Sequence, residues 1–288
     1  MTIEDNMPTS TGKRISIFAG ITAAFGLLSV AGILLTRGGA DFSALWISNG
    51  FLVAALLRYK GRISVPHILA CAAIGFVVAI SVGDSGTKAL SMAIANAVEV
   101  AIAIFLIRRK CGTDPNYVDF GKLIWFAMLG GLVAPLIGSG LAMGLFSIFG
   151  ENVSLLGWLD WLIAHSLGML IFAPIFSIIL GNRNGIHRWN KTMDLEYLVI
   201  FGFGGLLTIF VFSQSSYPFL FMTSLFVLFA AVRKGIVGAS LSVAVIAIIA
   251  IAGTFNGSGP AHLIDGNLHD NIFVVQIFLL FTFASSLP

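Results

Sequence analysis

The sequence predicts an all-α protein, a polytopic bundle of about ten transmembrane helices. The chain of 288 residues is 58% hydrophobic and only 10% charged, whereas a soluble domain has about 45–50% apolar and about 25% charged residues. The apolar residues fall in runs of roughly 20, the length of a helix that crosses a bilayer. These observations exclude a soluble globular enzyme and place nearly the whole chain in the membrane.

We expect residues 1–14 to form a polar cytoplasmic tail and 15–288 to form one membrane domain. The first apolar run is longer than the core of a cleavable signal peptide, so it is predicted to be the first anchor. The predicted spans, eight to ten in number, are 15–36, 41–58, 65–83, 88–107, 121–148, 157–180, 195–212, 217–232, 235–254 and 271–288.

The basic residues predict the orientation of the spans. With the N-terminus inside, 14 of the 16 Lys and Arg residues lie on the cytoplasmic side, and only Arg37 and Lys88 lie outside. Merging the seventh and eighth runs would move Arg233 and Lys234 to the outside. The pattern therefore predicts ten spans and a cytoplasmic C-terminus. It contains no basic helix face, so nucleic acid is not an expected partner.

Among the first four spans, the second and the fourth carry polar residues in pairs. Trp46 and Asn49 are three residues apart and share a helix face, as do Asn96 and Glu99. Glu99 is near mid-span, where an ionisable group usually faces the bundle interior. It is either a ligand-binding or proton-linked carboxylate or a hydrogen-bonded carboxyl that fixes helix packing.

The fifth span is rich in small residues. Gly140 and Gly144 form a pair spaced for close helix contact. Pro135 in this span and Pro174 in the next are expected to kink their helices. These positions are predicted to serve packing or to act as hinges.

The sixth span opens with Trp158, Asp160, Trp161 and His165. The tryptophans are typical of an interfacial aromatic belt. His165 lies about 12 Å into the helix at 1.5 Å per residue. It is either a group that changes charge near neutral pH or a neutral hydrogen-bonding residue between helices.

The last four spans are mostly apolar, and Gln276 in the tenth can bond across helices. The outer connection before it holds two histidines and two aspartates, but their spacing fits no standard metal site. We predict solvated loop residues there and neither a metal nor a cofactor.

In this topology the intramembrane polar groups lie at similar depths, between the midplane and the outer surface. We therefore predict one pocket reached from outside. Its candidate ligand-binding residues are Trp46, Asn49, Asn96, Glu99, Asp160, Trp161 and His165.

Several of these stretches resemble the first class of bacterial membrane-associated sensor domains. The stretch 42–57 (FSALWISNGFLVAALL) resembles the opening signature of that class, except that the family often has a proline after the tryptophan. Further similarity lies in 96–99 (NAVE), in 131–140, in 158–161 (WLDW) running into 167–174, and in the closing 281–288. The family-typical positions are Trp46, Asn49, Gly50, Asn96, Glu99, Trp158, Asp160, Trp161, Gly168 and Pro174.

The resemblance implies a non-enzymatic input module of a histidine kinase or a cyclic-di-GMP enzyme in the bacterial inner membrane. Its implied partners are an undefined small-molecule or membrane signal, the lipid bilayer and a second copy in a homodimer. The output domain that the resemblance implies does not follow within the 288 residues. The alternative is a small-solute or proton-coupled transporter, and a third hypothesis is an intramembrane enzyme that uses His165 or Asp160.

Overall fold

A computed structural model describes residues 11–37, 42–58, 64–113, 115, 117, 119–152, 154–180 and 195–287. The expected tail up to residue 10, the basic loop 181–194 and Pro288 lie outside these residues. Within them the protein is all-α, as predicted. The helices are α1 (Thr11–Thr36), α2 (Ile47–Arg58), α3 (Ser64–Ser81), α4 (Gly86–Cys111), α5 (Phe120–Phe149), α6 (Leu155–Ile179), α7 (Leu195–Phe212), α8 (Leu220–Phe255) and α9 (Leu268–Ser285), with a 3₁₀ turn at Pro260–Leu263.

Seven of these helices are long and apolar enough to cross a bilayer, and α2 and α3 are shorter apolar helices. Helix α8 contains the predicted eighth and ninth spans, because it folds back on itself at Gly235. This residue has φ +63° and ψ −153°, a left-handed conformation that glycine adopts readily. A Cβ on Gly238 would lie 2.1 Å from the carbonyl oxygen of Ala230, so the two arms, 220–234 and 236–255, meet closely at the turn.

Contacts between the two termini of α8 confirm that the helix folds back on itself. The Ser215 hydroxyl, just before the first arm, accepts a hydrogen bond from the Gly259 amide, just after the second. A straight helix of 36 residues would instead separate its ends by about 54 Å. The two arms therefore run antiparallel, and ten helical segments correspond to the ten predicted runs.

The second predicted span, 41–58, was wrong at its start, because the helix begins only at Ile47 and residues 42–46 are not helical. The amide of Trp46 donates to the carbonyl oxygen of Ala164, near the middle of α6, at 3.2 Å. Non-helical backbone is tolerated at membrane depth where it is enclosed by protein. Residues 42–46 thus descend into the bundle, and α2 starts deep inside it.

Helices α2 and α6 form the centre of the bundle. Residues 48–57 of α2 are all buried, and 78% of the most apolar window of α6 is buried. In contrast, α1, α5 and α7 bury about a third of theirs. Their outward faces carry large apolar side chains such as Leu27, Leu132 and Phe203, as expected of helices that face lipid.

A π-helical segment precedes each of the two prolines for which a kink is predicted, Leu129–Val133 in α5 and Gly168–Phe172 in α6. Pro135 and Pro174 follow them as second residues of the next α-helical stretch. Proline has no amide proton and its ring crowds the preceding turn, and π-bulges are a known cause of helix kinks.

The two ends of the bundle differ in charge. Loop residues 82–85, 150–152, 213–219 and 256–267 lie at one end, which we call the Asp84 end, and the Gly235 turn lies at the opposite, Arg108 end. Among the described residues, Arg37 and Lys88 are the only Lys or Arg residues at the Asp84 end. The Arg108 end holds Lys13, Arg14, Arg58, Arg108, Arg109, Lys110, Lys122, Arg233 and Lys234.

Candidate functional site

A chain of side-chain hydrogen bonds begins where α2 enters the bundle. The Trp46 indole Nε1 donates to Asn49 Oδ1 at 3.1 Å. Asn49 Nδ2 then donates to Asn96 Oδ1 at 3.1 Å and to Glu99 Oε1 at 3.0 Å. The i, i+3 spacing places Asn96 and Glu99 on one face of α4, and Trp46 reaches Asn49 from the residue just before α2, so the structure joins the two polar pairs that the sequence singles out.

Glu99 links this chain to α6. Its Oε2 lies 2.6 Å from His165 Nδ1, and the Glu99 side chain is fully buried while His165 is 4% exposed. A Cβ on Gly138 of α5 would lie 2.8 Å from Glu99 Oε2, so only glycine leaves room for the carboxyl. Both carboxyl oxygens therefore have polar partners, as a buried ionisable group requires.

Aromatic rings surround His165. The Trp46 ring stacks on it with centroids 5.7 Å apart, and the Trp161 ring stacks on it at 4.8 Å. Phe42 meets Trp161 edge to face at 5.0 Å. Trp161 is buried in the bundle, so its predicted place in an interfacial belt was wrong. The stack fixes the ring orientation of His165.

A cleft with about 550 Å³ of empty space, partly open to the surroundings, adjoins this cluster. It lies between α1, α3, α4, α6 and the segment 42–46. Of the predicted pocket residues, Trp46, Asn96, Trp161 and His165 line it. Asn49 and Glu99 stand behind Asn96 and His165 and hold them in place.

Charged residues stand at the rim of the cleft near the Asp84 end. Arg37 forms two hydrogen bonds to Asp84, at 2.8 and 2.6 Å, and Lys88 Nζ lies 3.4 Å from the same carboxylate. Burial raises the pKa of the Asp84 carboxyl, but hydrogen bonds and charge from Arg37, together with Lys88, outweigh it. The pKa of Asp84 therefore lies below its usual value, and the rim holds paired ions.

Asp160 does not join the cluster, contrary to prediction. Its Oδ2 lies 3.0 Å from Nε2 of His269 in α9. Asp160 is five residues from His165, so at 100° per residue the two side chains point about 140° apart around α6. The two residues also lie about 7.5 Å apart along the helix axis at 1.5 Å per residue.

Helix α9 contacts the site region at a second point. Gln276 is buried, and its Nε2 donates to the carbonyl oxygen of Ala44 at 3.0 Å. Ala44 lies two residues before Trp46 in the segment that lines the cleft. The predicted bond of Gln276 across helices thus connects α9 to the cleft wall.

Glycines allow α2 and α6 to meet at the site. A Cβ on Gly50 would lie 2.3 Å from the Gly168 carbonyl oxygen, and one on Gly168 would lie 1.9 Å from the Trp46 carbonyl oxygen. The predicted close contact of Gly140 and Gly144 was wrong within this chain, since nothing lies within 4 Å of either Cβ position. The other face of α5 packs inward through Gly138.

This arrangement can bind a ligand by hydrogen bonds and ring stacking. The described residues contain no group of three His, Cys, Asp or Glu side chains that could hold a metal ion. The side chains of Trp46, Asn49, Asn96, Glu99 and His165 belong to one connected network, in which a new hydrogen bond at the cleft reaches Glu99 through His165.

Comparison with models of protein families shows the family to which the chain belongs. The model for MASE1, a membrane-associated sensor domain, matches residues 16–287. The chain belongs to the MASE1 family. This membership confirms the resemblance described above. Searches of curated proteins and of solved structures found no match to the chain.

Several residues of the site in this MASE1 domain were not predicted from the sequence. The sequence shows Phe42 only as part of a motif and Arg37 only as a basic residue outside the membrane, and it does not indicate that either lies at the cleft. Asp84 is an acid in the short loop between two spans, beside one of the two outer basic residues. That juxtaposition could have indicated the ion pair. No signal in the sequence pairs Asp160 with His269, which is 109 residues away.

Proposed function

We propose that this MASE1 domain is the input module of a bacterial signalling protein and that its signal acts on the cleft. The observation that carries the proposal is the buried Glu99–His165 pair. One member lines the cleft and the other is held by residues of α2 and α4. A buried polar network of this kind costs free energy when it is broken, so a ligand that alters it can shift the balance between two bundle arrangements.

Helix α9 provides a route from the cleft towards an output domain. It is tied to the cleft wall through Gln276 and Ala44 and to α6 through His269 and Asp160. A signal that binds the two arrangements unequally would move α9 relative to α6. The output, in this proposal, is a kinase or a cyclic-di-GMP enzyme that follows α9 and works as a homodimer.

The charge asymmetry of the bundle supports the orientation in this proposal. Basic residues are enriched on the cytoplasmic side of bacterial membrane proteins, so the Arg108 end faces the cytoplasm of the inner membrane. The cleft then faces the periplasm or the outer half of the bilayer.

Conservative variants of the network test this function in the full-length protein. Glu99→Gln keeps the shape of the side chain but changes its charge and donors, and Asn49→Leu removes the link between α2 and α4. We expect both to change basal output or to abolish the response, measured as kinase phosphorylation or cellular cyclic-di-GMP at equal membrane levels. Trp158→Phe is the control, since Trp158 bonds Ser139 away from the cleft. Unchanged output in both network variants would exclude this function.

A transporter is the second candidate, because an ionisable pair lies inside the membrane at Glu99 and His165. Flux measurements in proteoliposomes separate the two functions. A sensor gives no flux above empty vesicles. Solute or proton flux that is lost in Glu99→Gln would support the transporter instead.

A further inference from the structure

We propose that the cleft binds an uncharged planar ring with a hydroxyl group, the chemistry of a quinol head group or a free phenol. This inference rests on the proposed sensory function and names the ligand class of the same site. It follows from the direction of the hydrogen bonds, the residual polar atoms of the cleft and the charge state of its rim.

The direction of the network is fixed by Trp46. An indole N–H can only donate, so the Asn49 carbonyl oxygen faces Trp46 and the Asn49 amide nitrogen donates onward. Its acceptors are Glu99 Oε1 and Asn96 Oδ1. The Asn96 carbonyl is therefore occupied, and the Asn96 amide nitrogen has no partner among the described residues.

His165 presents a second polar atom of the same kind. Its Nδ1 is engaged by Glu99, and its Nε2 has no partner among the residues that the structure describes. Asn96 is 9% exposed and His165 is 4% exposed, and both line the cleft. Asn96 and His165 thus each leave one hydrogen-bonding nitrogen for a ligand, and the buried indole Nε1 of Trp161, which also lines the cleft, is a third donor without a partner among the described residues.

A hydroxyl group suits this pair of atoms. When His165 donates its Nδ1 proton to Glu99, Nε2 accepts a hydrogen bond, and when Glu99 donates, Nε2 is the donor. A hydroxyl oxygen both donates and accepts, so it matches either state. An oxygen on the ligand also accepts from the Asn96 amide.

The remaining walls favour a flat, uncharged body. The lining is largely apolar or aromatic, with Phe42, Met92, Ala93 and Ala164 beside Trp46. Aromatic faces stabilise rings by stacking. At the rim, Arg37 and Lys88 both pair with the Asp84 carboxylate, so the polar groups that face a bound ring inside the cleft are the Asn96 amide and the His165 imidazole.

The test is binding of defined probes to the full chain in lipid nanodiscs under anaerobic conditions. The probes are decylubiquinol, decylubiquinone and tail-free hydroquinone, and the signal is quenching of tryptophan fluorescence. We expect saturable quenching by decylubiquinol. Ala93→Leu and Ala79→Leu, which fill the cleft without changing the network, should each weaken binding by about tenfold or more, and Trp158→Phe should bind as the wild type does.

Comparison of the probes identifies the source of the ring. Tighter binding of the decyl compound than of hydroquinone indicates a ligand carried by the membrane, and equal affinity indicates a diffusing phenol. Quenching that does not saturate, or that neither cleft-filling variant weakens while both melt at the wild-type temperature, overturns the ligand class. If Glu99→Gln still alters output in that case, the proposed function stands and only the ligand class is wrong.

Discussion

Glu99 is the residue at which four helices meet. Its own helix is α4, its hydrogen-bond partners Asn49 and His165 come from α2 and α6, and Gly138 of α5 closes over the carboxyl. The consequence for stability depends on whether one partner is removed or both.

We expect Glu99→Leu to destabilise the bundle by about 3–5 kcal/mol, because it leaves buried polar atoms of Asn49 and His165 without partners. His165→Phe should also be costly, since it leaves the Glu99 carboxyl half-satisfied. The double variant should cost less than the sum of the two, because an apolar pair replaces a hydrogen-bonded pair and leaves neither partner unsatisfied. Thermal unfolding in one detergent measures all four proteins, and strict additivity would show that the two side chains are not coupled.

The lowered pKa of Asp84 predicts how pH affects the rim. A carboxyl whose folded pKa lies below its unfolded value, about 3.9, adds stability that is fully present above that value. This stability is lost as pH falls through the folded pKa. Wild type should therefore be more stable than Asp84→Asn at pH 7, and the difference should shrink below pH 4. A difference that is constant from pH 7 to pH 3 would contradict the assignment.

Most residues of the network were predictable because a polar group in a span needs a partner. Asn49, Asn96, Glu99 and His165 each break an apolar run, and the structure brings all four together. Asp160 was misplaced because depth was considered without the helix face, which the 100° turn per residue defines. Which distant residue pairs with each polar group depends on helix packing, and the packing could not be predicted from a single sequence.

At the scale of elements, the apolar runs located the helices but not the start of α2. Residues 42–57 are largely apolar both before and after the start of α2, and a membrane span and a buried extended segment look alike in such a run. The start is decided by the bond from the Trp46 amide to the Ala164 carbonyl. This contact depends on the close approach of α2 and α6.

Two glycine substitutions are expected to have opposite effects, because Gly168 lies at the contact between α2 and α6 and Gly140 does not. Gly168→Ala would place a methyl group 1.9 Å from the Trp46 carbonyl oxygen. Because backbone cannot rotate away, we expect a loss of about 3 kcal/mol. Gly140→Ala meets nothing within 4 Å and should stabilise the helix by up to about 1 kcal/mol. Melting temperatures of the two variants test this prediction. Equal shifts in melting temperature would be inconsistent with the close approach of α2 and α6 at Gly168.

For the whole molecule, basic residues and apolar runs together predicted the number of segments and their alternation. They did so because each crossing reverses the side on which the next loop lies. The Gly235 turn preserves this alternation in a helix of 36 residues. In the sequence, only the charges at Arg233 and Lys234 indicated this turn.

Cysteine labelling in intact cells tests the alternation, in a background where Cys71 and Cys111 are replaced by serine. Ser216→Cys and Asn256→Cys flank the two ends of α8 and should react from the same side of the membrane. Arg109→Cys, at the Arg108 end, should react only from the other side. Labelling of Ser216→Cys and Asn256→Cys from opposite sides would require a straight α8.

The position of the Glu99–His165 pair has an electrical consequence. Glu99 is the fourteenth of the 26 residues of α4, so the pair lies about halfway through the insulating layer. Moving one elementary charge across the full layer is worth about 2.3 kcal/mol per 100 mV. A unit charge that moves to this depth from one face crosses roughly half of that voltage, about 1.2 kcal/mol per 100 mV. Any charge that moves between one face of the membrane and this pair therefore responds to the energised state of the cell.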